Sequence, residues 1–246
     1  MKKSLLNDRE ETLDTLFDGR LKVLQKKSGY RFSIDALLLA HFADMRPRDR
    51  IIDLGTGCGI IPLILIFRRK AGKVIGVETQ PSLAGLARRN AALNRQSGHI
   101  TIVEEDLKKL GPEIGRGTFD LVITNPPYRE VGSGRINPHS EKALARHEIK
   151  ASLEDVLWVS HQLLKDKGRL TLIYPASRTV DLIQGLRRMH LEPKRLQFIH
   201  SRLKGRASLV LMEACKEGHP QLQVLSPFFL YDPIGHYTPE AEKLFR

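Results

Sequence analysis

The chain has 246 residues, 28% of them charged and 41% hydrophobic, which suits one soluble α/β core with a small accessory element. No apolar run reaches the ~18 residues of a membrane span; Met1-Lys2-Lys3-Ser4-Leu5-Leu6 meets Asn7-Asp8-Arg9 before any signal-like core forms; and two distant cysteines, Cys58 and Cys215, argue against disulfides and structural zinc. A net charge of +12 makes a polyanion the expected partner, in a reducing cytoplasm.

Residues 9–30 are polar and mixed in charge, and no element is predicted there. In Tyr30–Ala40, Ser33 or Asp35 is placed to cap a short helix. Arg50–Leu54 is the first strong strand, closed by Gly55-Thr56-Gly57-Cys58-Gly59, and Ile60–Arg69 follows as a helix with a basic C-terminal end. Lys73–Glu78 reads as a second strand, Pro81–Asn94 as a helix opened by proline, and Ile100–Glu104 as a third strand leading to Asp106. The apolar, β-branched run Phe119–Thr124 is a fourth strand. Leu153, Val156, Leu157, Ser160, Leu163 and Leu164 fall at helical spacing. Beyond them come a strand at Gly168–Tyr174, a basic helix at Arg178–Met189, and strands at Arg195–Ile199 and Ser208–Ala214. Strands alternating with helices predict an α/β fold with a mostly parallel, doubly wound sheet.

Three strand ends carry chemistry. Asn125-Pro126-Pro127-Tyr128 must terminate the fourth strand, because proline lacks an N–H and fixes φ. The Asn125 amide oxygen and the Pro126 carbonyl can each accept one N–H of a planar amine or amide, and the Tyr128 ring can stack on its face. Taken alone, the tetrapeptide also reads as a rigid strand-end turn. The glycine-rich turn after the first strand departs from the dinucleotide fingerprint, since the third glycine comes one residue early and Ile60 stands where glycine is needed. Glu78 and Asp106 end the next two strands, at the edge where open α/β sheets bind ligands. Glu78 is suited to accept from both ribose hydroxyls, and Asp106 lies where an adenine amino group could be held.

Taken together, Asp53-Leu54-Gly55-Thr56-Gly57-Cys58-Gly59, Glu78, Asp106 and Asn125-Pro126-Pro127-Tyr128 resemble the class I S-adenosylmethionine-dependent methyltransferases with an N-P-P-Y motif, which modify amino or amide nitrogens. Within that class, Phe32-Ser33-Ile34-Asp35-Ala36-Leu37-Leu38-Leu39-Ala40, Ala145-Arg146-His147-Glu148 and the tail around Tyr231-Asp232 and Tyr237-Thr238 are similar to bacterial tRNA adenine-N6 methyltransferases acting at adenine-37 of a valine tRNA. The resemblance implies a Rossmann-like, seven-stranded fold over residues 1–246 as a single domain, with 1–48 as an extension packing near the cofactor site. It implies S-adenosylmethionine as cofactor. Gly55, Gly57 and Gly59 would pass its methionine end with Asp53 supporting the loop and Phe32 and Asp35 closing over it. Glu78 would hold the ribose, and Asp106 with Leu107 would meet the adenine. Asn125, which would also touch the cofactor, and Pro126 would receive the target amine, and Tyr128 would stack on the base beside Pro127. Cys58 reads as a small packing residue. No metal is implied, since His139 and His147 lie in a loop without ligand spacing.

Transfer from a sulfonium to nitrogen is an in-line displacement, so holding the nitrogen ~3–3.5 Å from the methyl supplies most of the acceleration. The exocyclic nitrogen of adenine is a poor nucleophile, and two acceptors on its N–H groups favour the pyramidal form and the developing positive charge. For RNA binding, the stretch 178–206 holds Arg178, Arg187, Arg188, Lys194, Arg195, Arg202, Lys204 and Arg206 against Asp181 and Glu192, a run that also reads as an ordinary solvated face. Arg129, Arg135 and Arg146 add charge to the segment after the N-P-P-Y motif, which is expected to be a mobile loop over the nucleic acid. Structured RNA is the expected partner, with no membrane and no obligate protein partner. Alternatives are N-methylation of adenine or guanine in rRNA or DNA, or of protein glutamine. A non-catalytic RNA-binding protein on the same scaffold is another.

Overall fold

A computed structural model describes residues 10–28, 31–69, 72–126 and 151–245. The elements run β1 (Glu11–Leu16), β2 (Leu21–Lys26), α1 (Ile34–Phe42), β3 (Arg50–Leu54), α2 (Ile60–Arg69), β4 (Lys73–Glu78), α3 (Pro81–Leu93), β5 (Ile100–Glu104) and β6 (Phe119–Thr124). After these come α4 (Leu153–Leu163), β7 (Leu164–Pro175), α5 (Thr179–Arg188), β8 (Leu191–Arg202), β9 (Ala207–Lys216), β10 (Gln223–Val224), β11 (Phe228–Tyr231) and a helical turn α6 (Pro239–Glu242).

The main sheet has nine strands in the order β10-β8-β9-β7-β6-β3-β4-β5, with β11 also paired to β8. Only β9 runs antiparallel within it, between β7 and β8. From β3 the chain winds to β4 and β5 on one side, then returns to β6 on the other. The direction therefore reverses between β3 and β6, which opens a crevice at their carboxyl ends. Residue alternation divides the core into two layers. Ile51, Leu121 and Ile123 face the layer of α1, α2 and α3, whereas Ile52, Val122 and Leu170 face that of α4 and α5.

Local chemistry accounts for the helix starts. Ser33 caps α1, its hydroxyl accepting from the Asp35 N–H. Ser152 and Asp155 form a reciprocal capping box at α4, and Pro81 opens α3. The predicted strands and helices from Arg50 to Lys216 are all present, with β7, β8 and β9 longer than their apolar centres because ladder pairing continues through charged residues.

Residues 9–30 correct the reading above: they contain an antiparallel hairpin, β1–β2, turned by Phe17–Arg20. Asp18-Gly19 between alternating apolar residues was the available signal. The hairpin buries Leu21, Val23 and Leu24 against the α2–α3 layer. Its unpaired edge is matched by side chains rather than a strand. The Asn90 amide accepts from Leu24 N–H at 2.7 Å and donates to Leu24 O at 3.0 Å. Asn94, one turn on, accepts from Lys22 N–H at 2.9 Å and donates to Lys22 O at 2.6 Å. Arg89 adds a two-pronged ion pair to Glu11.

Candidate active site

The glycine turn ties the ends of β3 and β4 together. Gly55 and Thr56 N–H both donate to Val77 O at 2.9 Å, and Gly57 N–H donates to Glu78 Oε2 at 2.9 Å. The other Glu78 oxygen accepts from Gln80 N–H at 2.9 Å. Gly55, Gly57 and Gly59 take φ of +76°, +57° and +80°, which L side chains rarely adopt. Gly59 also lies so close to α3 that a Cβ there would meet Ala87 Cβ at 3.1 Å, whereas one at Gly55 would meet no atom within 4 Å. The third glycine thus serves helix packing and the first leaves an open backbone approach.

Under this turn Asp53 is fully buried, and neither carboxyl oxygen completes a hydrogen bond among the described residues; Thr56 Oγ1 lies beside it equally unsatisfied. Burial pushes the Asp53 pKa up to about 7, with the Thr56 hydroxyl opposing the rise and the Glu78 charge adding to it. Glu78 is raised as well, first by burial, against the backbone N–H groups of Gln80, Gly57 and Thr79. Two buried acids beside an open glycine backbone suit a ligand that brings its own N–H and O–H donors. Cys58 is buried in the same turn, and burial lifts its thiol to about 12, so it is a packing residue.

On the other side of the crevice, Thr124 Oγ1 donates to Leu54 O at 2.8 Å and clamps β6 to β3. Leu54 and Thr124 are register partners, so the half-buried Asn125 and the buried Pro126 leave their strand beside Gly55. Pro127 and Tyr128 lie outside the described residues, as do Arg129, Arg135, Arg146, His139 and His147. Glu78 is register partner to Glu104, which brings Asp106 and Leu107 to the next strand end along the same edge. Asp106 caps a turn of 3-10 helix over Leu107–Lys109, its Oδ1 accepting from Lys108 N–H at 3.0 Å.

Sequence reasoning missed the residues that join these pieces. Asn90 Nδ2 donates to Cys58 O at 2.9 Å as well as to β2, so one amide joins α3, the hairpin and the glycine turn. Next to Leu24, the buried Gln25 accepts from Phe32 N–H at 2.9 Å and donates to Asp14. Arg31 pairs with Asp14 at 2.7 Å and donates to Thr12. The hairpin therefore positions Phe32 and the start of α1, where burial raises the Asp35 pKa against hydrogen bonding by Ser33 and its own backbone.

The eight cations of 178–206 are not brought together. Because β8 runs parallel to β7, Arg202, Lys204 and Arg206 lie past the carboxyl edge that holds the crevice. Helix α5 returns to the opposite edge, carrying Arg187 and Arg188 with it. Arg187 pairs there with Glu192 at 3.2 Å and Arg188 with Glu154 at 3.9 Å.

Residues 33–181 match the family model of the methyltransferase small domain. A curated protein of Porphyromonas gingivalis named tRNA1(Val) (adenine(37)-N6)-methyltransferase is 32% identical over 240 residues, 92% of this chain and 91% of its own length. One of the same name from Trichodesmium erythraeum is 28% identical, covering 80% of this chain and 82% of that protein. Among solved structures, a predicted O-methyltransferase of Agrobacterium tumefaciens superposes with a TM-score of 0.69 at 25% identity, over 85% of this chain and 94% of its own. TYW2 of P. horikoshii, in complex with MeSAdo, has a TM-score of 0.61 at 15% identity over 85% and 72%, a likeness of fold.

Proposed function

The chain belongs to the methyltransferase small-domain family, and from that premise we propose that it methylates the N6 amino group of an adenine in tRNA, adenine-37 beside the anticodon of a valine tRNA, with S-adenosylmethionine as donor. The observation that carries the proposal is the pairing of Leu54 with Thr124, which brings an Asn-Pro turn beside an open glycine turn with two buried acids. The name shared by the relatives of P. gingivalis and T. erythraeum supports the choice of substrate.

S-adenosylmethionine supplies an electrophilic methyl group on a sulfonium. Glu78 holds the ribose hydroxyls, Asp53 and the backbone of Gly55, Gly57 and Gly59 receive the amino-acid end, and Phe32 and Asp35 cover it. Asp106 and Leu107 take the adenine of the donor. Asn125 Oδ1 and the Pro126 carbonyl accept the two N–H groups of the target amine and stabilise the positive charge that develops on nitrogen. Tyr128 stacks on the target base while Pro127 stiffens the turn. A carbonyl is too weak a base to keep the excess proton, which passes to solvent. Residues 1–246 act as one domain, with 1–48 as an extension bracing the donor site through Gln25 and Asn90. The enzyme works in the cytoplasm, where its RNA substrate is found.

The test is methyl transfer from labelled S-adenosylmethionine to bulk tRNA lacking the modification, followed by nucleoside analysis. The expected product is N6-methyladenosine, absent with Asn125→Ala. Label in rRNA, DNA or protein but not in tRNA would overturn the substrate assignment and leave the family intact.

A further inference from the structure

The β8–β9 hairpin extends well past the crevice. Thr124, Leu172, Met212 and Leu196 are register partners in turn, so they share one level across the sheet. β6 ends at that level, whereas β8 continues from Leu196 to Arg202, roughly 20 Å further at ~3.3 Å per residue. Three strand spacings of ~4.8 Å separate β8 from β6, so the tip stands about 25 Å from Asn125, on the edge where the crevice opens.

β7 ends at Pro175, level with Leu209 and Ile199, and beyond it the tip runs on beside β11, held by local bonds. Arg202, Lys204 and Arg206 are exposed, and Leu203 between them is 64% exposed. Gly205 N–H closes the turn onto Arg202 O at 2.9 Å, and the His200 ring bonds Gly205 O at 2.8 Å while packing on Phe229. β11 braces the outer side, with Tyr231 paired to Arg202. None of the three cations makes an ion pair among the described residues. The acid of the adjoining turn, Asp232, is committed to the N–H groups of Ile234, Gly235 and His236. The other cations of 178–206 are engaged within the fold: Arg178 with Asp181, Arg187 with Glu192, Arg188 with Glu154, Arg195 with Glu213 and Lys194 with His219 O.

We propose that the β8–β9 hairpin is an arm that grips the phosphate backbone of the RNA several nucleotides from the target base, through Arg202, Lys204 and Arg206, and that Arg187 and Arg188 take no part. This rests on the RNA reading above. A row of exposed cations on a hairpin, beside but not in the crevice, contributes affinity and register rather than base identity. About 40 Å of β8 separates Arg187 and Arg188 from the arm, too far for one compact RNA element to bridge while a base sits in the crevice.

The experiment compares the full-length protein with two variants, R202A/K204A/R206A and R187A/R188A. The readouts are binding of a fluorescent unmodified anticodon stem-loop RNA between 50 and 200 mM salt and methyl transfer to the same RNA. All five substitutions are at the surface, and melting temperature and S-adenosylmethionine binding check the fold. The arm variant is expected to raise Kd and KM for RNA about 10–100-fold and to flatten the slope of log affinity against log salt by roughly 2–3, with kcat at saturating RNA retained. The α5 variant is expected to match wild type. An arm variant that binds like wild type, or an α5 variant that loses as much, overturns the proposal. Arm-dependent RNA binding without methyl transfer would uphold the arm and sink the adenine reading. Wild type that binds no RNA at any salt would sink both.

Discussion

In the proposed reaction Asn125 carries the heaviest chemical demand, because a delocalised amine needs acceptors aimed at its hydrogens before it can attack. Asn125→Ala is expected to lower kcat about 10²–10³-fold with donor binding retained, as for other single groups that stabilise developing charge; equal loss of donor affinity would reassign it to the donor site. Asp53 allows a pH test. Its pKa rises on folding from 3.8 to about 7, so the native state holds a proton that the unfolded chain releases between those values. The Asp53 contribution to stability is therefore complete below pH 3.8, fades as pH rises through 7, and is lost above it, a span on the order of 4 kcal/mol. Asp53→Asn without ligand should gain more in melting temperature over wild type at pH 8 than at pH 5. A difference independent of pH would show that the carboxyl is not titrating there. That Asn125 and Asp53 stand at the ends of strands was legible in the sequence, since the apolar, β-branched runs around them and the proline or glycine that follows mark strand and end. The burial of Asp53 without a completed hydrogen bond among the described residues was not, because it depends on what packs around the strand end.

Among elements, the hairpin and α3 matter most for the proposed donor site. Gln25 on β2 accepts from Phe32 N–H, and Asn90 on α3 donates to Cys58 O. Gln25→Ala removes the acceptor of Phe32 N–H and is expected to raise KM for S-adenosylmethionine up to about tenfold with little change in kcat, matching the ~1 kcal/mol of one hydrogen bond. A fall in melting temperature with unchanged KM would make Gln25 merely structural. Residues 9–30 hid this element. Their alternation is diluted by charged residues, and the stability of β2 comes from Asn90 and Asn94, 66 and 72 residues away. A local window holds the Asp18-Gly19 turn signal but not these two partners.

For the whole molecule, the edge beyond β8 is closed by chain that returns from far along the sequence. β10 and β11 cover the β8 backbone, while Leu230, Ala241 and Leu244 are buried in the same apolar cluster as Ile199 and Leu211. Deleting residues 223–246 would uncover the β8 edge from Arg195 to Arg202 and remove the buried Leu230 and Leu244, worth ~1.5–3 kcal/mol each, against a typical total of ~5–15 kcal/mol. The truncated protein is expected to melt at least 10 °C lower or to aggregate, read by calorimetry and light scattering. A second long-range tie gives a sharper value. Arg169 at the start of the β7 core pairs with Asp49 before β3, both buried. Arg169→Met should therefore cost about 3–5 kcal/mol in urea unfolding by stranding a buried carboxylate. A cost near zero would mean Asp49 escapes to water.

The sequence by itself determined the alternation of strands and helices, the strand ends bearing glycine, acid and Asn-Pro, and the family. Each of these is a short-range pattern of side-chain volume, β-branching and proline or glycine geometry. Only the tertiary structure decided the strand order that sets β3 beside β6 and the hairpin that joins α3 and the start of α1. It also decided which of the eight cations reach the edge of the sheet where the crevice opens. Neighbours along the chain from 178 to 206 are parted because a helix and a long strand carry them to opposite edges of the sheet, and the charge of a residue says nothing about which edge its element reaches.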